Sequence, residues 1–262
     1  MKTAETETVD FRSSVELILS GDPDGLFNAA NDLRQISKSE AVEFLYRMAI
    51  EQGVKEAYLN YGVFLHEMDR SKEALVQFEK AHAVGDPKAA FALGETNWEM
   101  ERHAEAIKWL RLAGSHPAVP LRLAMSYRAM GDEESAVKVL REGSETSAEA
   151  AVEYIDTTNE LDLESAIRLL EKHLQNGEVD VLIMLAVLYS KAGNPDKEIE
   201  LLRRSVAEGE PNALHNLGLA LWQAGHAREG KALLKKAAQQ GDKLSPKVLH
   251  NLRGKQRHIR LK

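Results

Sequence analysis

Cysteine is absent from the 262 residues of this chain. That excludes disulfides and thiolate-held metals and fits a reducing, cytoplasmic setting. Runs of β-branched residues are scarce, while Ala, Leu, Glu and Lys dominate, a vocabulary that favours helices over strands. Long apolar runs are also missing. The longest, Val181 to Tyr189, falls far short of the ~20 residues a membrane span needs. Met1 to Asp10 is acidic and polar, so no signal peptide is expected there. The motifs of common catalytic sites do not occur: there is no HExxH, GxSxG, phosphate-binding Walker loop or dinucleotide glycine fingerprint. The nine histidines are scattered, and none pairs with another at metal-ligand spacing on one helix. No enzyme activity, cofactor or metal is expected.

Hydrophobic residues make up 44% of the chain and charged residues 29%, so there is ample apolar surface to bury. The net charge is −7, unevenly spread. Residues 243–262 hold seven Lys or Arg and no acid, which leaves −14 on the remainder. An acidic body with a basic tail is the one strong charge asymmetry.

Small residues recur at a nearly constant interval. Ala30, Gly62, Gly94, Ala124, Ala186 and Gly218 form one series, and Ala74, Ala106, Ala136, Ala166 and Gly230 a second, with steps of 30 or 32 residues, or of 62 and 64 where one unit is skipped. A period in this range predicts stacked supersecondary units, not one globular core. Around the first series, large residues stand one before and three after, as in Leu123-Ala124 with Tyr127 and Leu185-Ala186 with Tyr189. That spacing puts them on one helix face with the small residue between them. About seven positions later the helix stops at Gly131, Gly193 or Gly225, with Asp69 and Glu101 in the same place elsewhere. The second series pairs each small residue with a large one four later: Ala74 with Phe78, Ala106 with Leu110, Ala136 with Leu140, Gly230 with Leu234. Turns such as Gly85-Asp86-Pro87 and Gly241-Asp242 then close the unit, the acid capping the next helix.

These patterns predict seven helical hairpins, beginning near Pro23, Lys55, Pro87, Pro117, Ser147, Val179 and Pro211. An extra helix is expected near residues 10–20 and a capping helix near 244–253. The organisation read from this is a polar amino terminus with its helix (1–22), a repeat solenoid (23–242), and a capping helix with a basic tail (243–262). The fifth unit departs from the pattern, with Glu153 and Tyr154 where Leu and a small residue belong. Pro117 and Pro120 crowd the start of the fourth. The departures predict a shifted helix, with a bend or loosened stack between about 115 and 162 as the alternative.

Tyr58, Tyr61-Gly62, Leu65, Ala74, Phe78 and Ala81 resemble the tetratricopeptide repeat, and the Gly85 to Ala89 opening is similar to the related Sel-type repeat. The resemblance covers about residues 23–241. It implies an all-α fold: a right-handed α-solenoid superhelix of helix-turn-helix repeats with terminal capping helices. It further implies a non-catalytic scaffold or adaptor that holds a peptide or helix of another protein in a concave groove lined by the first helix of each hairpin. Carried onto this sequence, the groove positions are Phe27, Asn31 and Arg34; Leu59, Val63 and His66; Phe91, Glu95 and Trp98; Leu121, Met125 and Arg128. In the later units they are Ile183, Val187 and Ser190, then His215, Leu219 and Trp222. Trp98 and Trp222 are the strongest anchors, because tryptophan is enriched at binding hot spots. Whether the aliphatic positions form groove or core stays open. Some family members clamp a carboxyl-terminal carboxylate. Asn31, Asn60 and Lys88 match that set, but Phe27 and Ala92 replace two of its cations.

The tail is a second candidate contact. Arg253, Lys255, Arg257, Arg260 and Lys262 suit nucleic acid or a ribonucleoprotein, although no aromatic residue interleaves them. They equally suit folding back on the acidic body or keeping the last helix soluble. Self-association through the apolar end units or the groove is the remaining alternative.

Overall fold

The computed structural model describes residues 11–259, with side chains described as far as Leu252. Every regular element among them is helical. The chain divides into two compact units, Met1–Ala136 and Val137–Lys262. The first holds α1 (Arg12–Ser20), α2 (Asp24–Ile36), α3 (Glu40–Glu51), α4 (Ala57–Glu67), α5 (Ser71–Ala83), α6 (Ala89–Glu99), α7 (His103–Leu110) and α8 (Val119–Ala129). Helix α9 (Glu133–Gly143) runs across the boundary. The second unit continues with α10 (Ala148–Thr157), α11 (Leu163–Gln175), a 3-10 turn (Val179–Val181), α12 (Leu182–Lys191), α13 (Pro195–Glu208), α14 (Ala213–Gln223), α15 (Ala227–Gln239) and α16 (Ser245–Ile259). The seven expected hairpins are α2/α3 through α14/α15. The expected first helix is α1. The capping helix α16 runs several residues past the expected end, because Lys255 to His258 are tolerable helix formers despite Gly254.

Within each unit, helices pack on their sequence neighbours, as the hairpin pattern requires. The small residues explain how closely. A Cβ on Gly62 would lie 2.5 Å from the buried Phe78 ring, and one on Gly94 would lie 2.6 Å from Leu110. The large residue four past the second small position therefore fills the space that the first small position leaves. At α14/α15 two glycines face each other. A Cβ on Gly230 would lie 2.5 Å from the Gly218 carbonyl oxygen and 2.8 Å from the Trp222 backbone nitrogen. Here backbone meets backbone, so no side-chain rotation can relieve an added methyl.

Two apolar clusters result. In the first unit Ala30, Tyr46, Tyr61, Phe64, Leu65, Phe78 and Leu93 pack together, and in the second Ala151, Leu170, Leu182, Leu185, Leu202 and Leu221 do. At the amino-terminal end α1 docks on α2 at Gly25, whose Cβ would sit 2.6 Å from the Ile18 backbone nitrogen.

The helix ends behave as the sequence implies. Asp69 and Glu101 adopt the same left-handed conformation, both with φ 58°, that Gly131, Gly193 and Gly225 adopt in the corresponding turns. For a residue with a Cβ this costs about 1–2 kcal/mol, which the first unit's packing must offset. Acidic turn residues cap the following helices. The Asp86 carboxylate accepts the Lys88 N–H at 2.8 Å, and Asp162 accepts that of Ser165 at 2.8 Å.

The fifth hairpin is shifted by about one turn. Tyr154, which stands where a small residue was expected, is buried and donates its hydroxyl to Glu160 at 2.6 Å. Ala150 and Ala151, one turn earlier, are fully buried, and Ala151 shares a cluster with Ala166 and Leu170. The helix has moved along its axis to bring a small pair to the packing face.

Two histidines are buried in the helix stack. His173 occupies a small-residue position of α11 and is buried; Nδ1 lies 3.0 Å from Glu178 and Nε2 lies 2.7 Å from the Ser144 carbonyl. His215 is buried as well, its Nδ1 3.0 Å from Asp242 and 2.9 Å from the Ser245 hydroxyl. Both replace apolar or small residues because a polar partner from the neighbouring turn meets each ring nitrogen that is buried.

Asp242 caps α16 by accepting the N–H groups of Leu244 and Ser245 at 3.1 and 2.6 Å. The Ser245 hydroxyl, these N–H groups and the adjacent His215 hold its carboxyl down to about 2 from the ordinary 3.8. A depressed carboxyl contributes stability that is fully present above its unfolded value and lost as pH falls through the folded value.

Two outcomes are expected. Overpacking costs about 1–3 kcal/mol, more than the ~1 kcal/mol alanine gains in helix propensity, so Gly230→Ala lowers the urea midpoint of unfolding. An unchanged or raised midpoint contradicts the close approach of α14 and α15. Asp242→Asn destabilises the chain at pH 7 by about 1 kcal/mol, and the gap closes as pH falls from about 4 toward 2. Urea titrations across that range check it; a pH-independent gap assigns the effect to hydrogen-bond geometry instead of charge.

Candidate partner-binding face

The face is built by the first helices of the hairpins. In the first unit α2 contacts α4 and α6 contacts α8, so their side chains form one continuous surface over each of those pairs. Phe27, Asn31, Arg34, Leu59, Val63, His66, Phe91, Glu95, Trp98, Leu121, Met125 and Arg128 are all half-buried. Phe27, Leu59 and Val63 pack against the first apolar cluster while keeping part of their surface outward. They are at once core and face, which is why local spacing could not assign them to either.

Charge on this face is paired. Arg34 forms an ion pair with Glu67 of the next hairpin, Nε to Oε2 at 3.1 Å, and Lys38 donates to the Glu67 carbonyl at 3.3 Å. The guanidinium holds the Glu67 carboxyl below the usual range. His66 repeats the contact one hairpin later, its Nε2 2.6 Å from Glu99. Both pairs are 33 residues apart, one hairpin period plus one position, so each links a first helix to the next. Arg122 lies 2.8 Å from Glu95 and places its guanidinium 4.8 Å from the centre of the Trp98 ring. Arg122 also donates to the Met125 sulfur at 3.6 Å. Arg128 pairs with Glu133 at 3.1 Å. Phe91 stacks on the imidazole of His116, with centroids 3.8 Å apart.

The sequence singled out the cations and aromatics here but missed Glu67, Glu99 and Arg122. A search for an acid 33 residues after each candidate cation finds Glu67 and Glu99; nothing in the local pattern marks Arg122.

The two asparagines of the carboxylate clamp are already engaged. Asn31 accepts from the Tyr46 hydroxyl at 2.8 Å and from the Asn60 amide at 2.9 Å. The two asparagines therefore hold α2, α3 and α4 together. Lys88 is exposed.

In the second unit the corresponding positions differ. Val187 and Ser190 are exposed, while Ile183, Leu219 and Trp222 are half-buried. His215, read from the sequence as a groove residue, instead points its Nδ1 at Asp242 and Ser245 and is buried. Its ring is committed to the turn because that turn supplies the acceptor. Of the tail candidates, Arg253, Lys255 and Arg257 lie on the backbone of α16, and Arg260 and Lys262 fall outside the described residues. Among the described residues no cluster of three or more His, Cys, Asp or Glu could hold a metal, and no helix is long and apolar enough to cross a membrane.

Two tetratricopeptide-repeat family models match, over residues 121–142 and 211–236. These stretches are the hairpins α8/α9 and α14/α15. No curated protein matches the sequence. Among solved structures, yeast Tom70 is 16% identical with a TM-score of 0.59, the likeness covering 96% of this chain and 58% of that one. The Cut9-Hcn1 hetero-tetramer of the APC/C is 15% identical with a TM-score of 0.57, over 94% of this chain and 49% of that one. A Sel1 repeat protein from Oxalobacter formigenes is 18% identical with a TM-score of 0.52, over 75% of this chain and 96% of that one. This chain thus spans about half the length of the first two, and at these identities the likeness is one of fold. Helical hairpins with small residues at their crossings, and two matched repeats, lead to one conclusion: the described residues are all-helical and the chain is built of tetratricopeptide-like repeats.

Proposed function

We propose that the chain is a non-catalytic adaptor whose first unit holds an apolar or amphipathic segment of another protein against α2, α4, α6 and α8. The observation that carries this is the row Phe27, Leu59, Val63, Phe91, Trp98, Leu121 and Met125, half-buried on the first helices. Such a row is free to lose further surface to a partner, and each anchor contributes about 1.5–3 kcal/mol when fully buried. The charge pairing narrows the ligand. Arg34, Arg122 and Arg128 each have a carboxylate of the chain beside them, and His66 has Glu99. An acidic peptide or a free carboxylate must displace one of these, and the asparagines of the clamp are bonded to each other. An apolar segment disturbs none of them. The absence of cysteine supports a cytoplasmic setting for this activity.

Trp98 is the central test. The Arg122 guanidinium covers one face of its ring and holds it in place while the half-buried indole keeps part of its surface outward, the kind of amphipathic anchor found at hot spots. Affinity purification from the native host, with nuclease present, gives the partner. Trp98→Ala reduces capture of that partner at least tenfold, with the helical circular-dichroism spectrum and thermal midpoint retained; Trp222→Ala reports on the second unit in the same way. If Trp98→Ala unfolds the chain, or leaves capture unchanged, the tryptophan is a packing residue and the face is not the binding surface. A mass above that of one chain, with no partner present, favours self-association.

A further inference from the structure

Positive charge in the second unit is gathered around its last turn. Residues 227–262 carry eleven Lys or Arg against two acids, leaving −16 on residues 1–226. Both acids are used internally. Glu229 pairs with Arg203 at 2.7 Å, and Asp242 is taken up by His215 and the N–H groups that start α16. Lys235, Lys236, Lys243 and Lys247 bracket the α15–α16 turn, and all four are exposed. None of them has an ionic partner among the described residues. Arg228 and Lys235, both exposed and seven residues apart, continue the charge along one side of α15 over about 10 Å of helix. The preceding turn of the same unit is acidic instead, with Glu208 and Glu210. Cations at a helix C-terminus are common, but that accounts for Lys236 alone and not for Lys235, nor for Lys243 and Lys247, which follow the helix.

We propose that the α15–α16 end binds the phosphate backbone of double-stranded nucleic acid without reading its sequence. Exposed lysines without an ionic partner, grouped around one inter-helix turn, are what counterion release rewards. From Gln223 to Lys262 there is no Phe, Tyr or Trp. Single strands are usually held by base stacking on aromatic residues, so this end lacks the platform they use, and a duplex needs only phosphate contacts. The acidic remainder of the chain opposes binding only within about 10 Å at 0.1 M salt. This surface extends beyond the tail at residues 253–262 and is independent of the face on the first unit.

The probe is a fluorescein-labelled 20-base-pair DNA of mixed sequence, titrated with the full chain at several salt concentrations and followed by anisotropy. The unaltered chain binds at 50 mM salt, with affinity falling steeply as salt rises. The triple variant Lys235→Glu/Lys236→Glu/Lys243→Glu, with an unchanged helical spectrum, binds at least tenfold more weakly. Its log–log salt slope is shallower by about 0.9 for each lost phosphate contact. The alanine version of the same triple variant weakens binding in the same direction. Removal of residues 253–262 leaves measurable binding. The proposal is overturned if the unaltered chain does not bind, if the triple variants bind as tightly as it does, or if removing 253–262 abolishes binding. It is also overturned if polyglutamate or phosphatidylserine vesicles displace the duplex at equal charge concentration, because the end is then a general polyanion surface.

Discussion

The structure depends on the close crossing of the two helices in each hairpin. Gly62 against Phe78, Gly94 against Leu110 and the glycine pair Gly218 and Gly230 let the helix axes approach until side-chain or backbone atoms touch. Hydrophobic burial follows from that approach, since Leu65, Phe78, Leu93, Leu110 and Leu234 are almost completely removed from solvent. A hairpin of this kind leaves an apolar side uncovered and needs the next to cover it. In the first unit the outward presentation of α2, α4, α6 and α8 follows from the same constraint, because α2 contacts α4 and α6 contacts α8.

Much of this was legible in the sequence, for a physical reason. Spacings of four within a helix and 30 or 32 between hairpins are properties of local geometry, and the small residues mark the contact points. The left-handed turns at Asp69 and Glu101 could be read from the glycines in corresponding positions. The shift of the fifth hairpin was only half legible. Tyr154 announced the departure, but the compensating pair Ala150 and Ala151 gained meaning only from its burial beside the second helix. The buried histidines were not legible. His173 and His215 look like surface residues until the acids and hydroxyl of neighbouring turns are brought to them by the stack.

The candidate face shows the same division. Its positions came from the family resemblance carried onto the repeat register, and all of those in the first unit are partly exposed. Its charge state came from long-range pairing that no single repeat contains. Arg34 with Glu67 and His66 with Glu99 tie each first helix to its successor. Partly exposed pairs of this kind contribute little to stability, about 0–1 kcal/mol each. Their larger effect is on recognition, since they neutralise cations that would otherwise attract carboxylates. The Arg122 stack on Trp98 likewise orients an aromatic side chain that stays partly exposed. The chain thus separates two kinds of surface: a charge-paired, half-apolar face on the first unit and an unpaired basic end on the second.

The most direct measurement of the central constraint is a double-mutant cycle at one crossing, using Gly94→Ala and Leu110→Ala with urea unfolding. Each single change destabilises, the first by a clash with Leu110 and the second by a cavity. Because the added methyl points into the space that Leu110 fills, the double variant should be more stable than the sum of the two losses by about 1 kcal/mol or more. Strict additivity would mean that the two side chains do not share that space, and the account of how the hairpins hold together would be wrong.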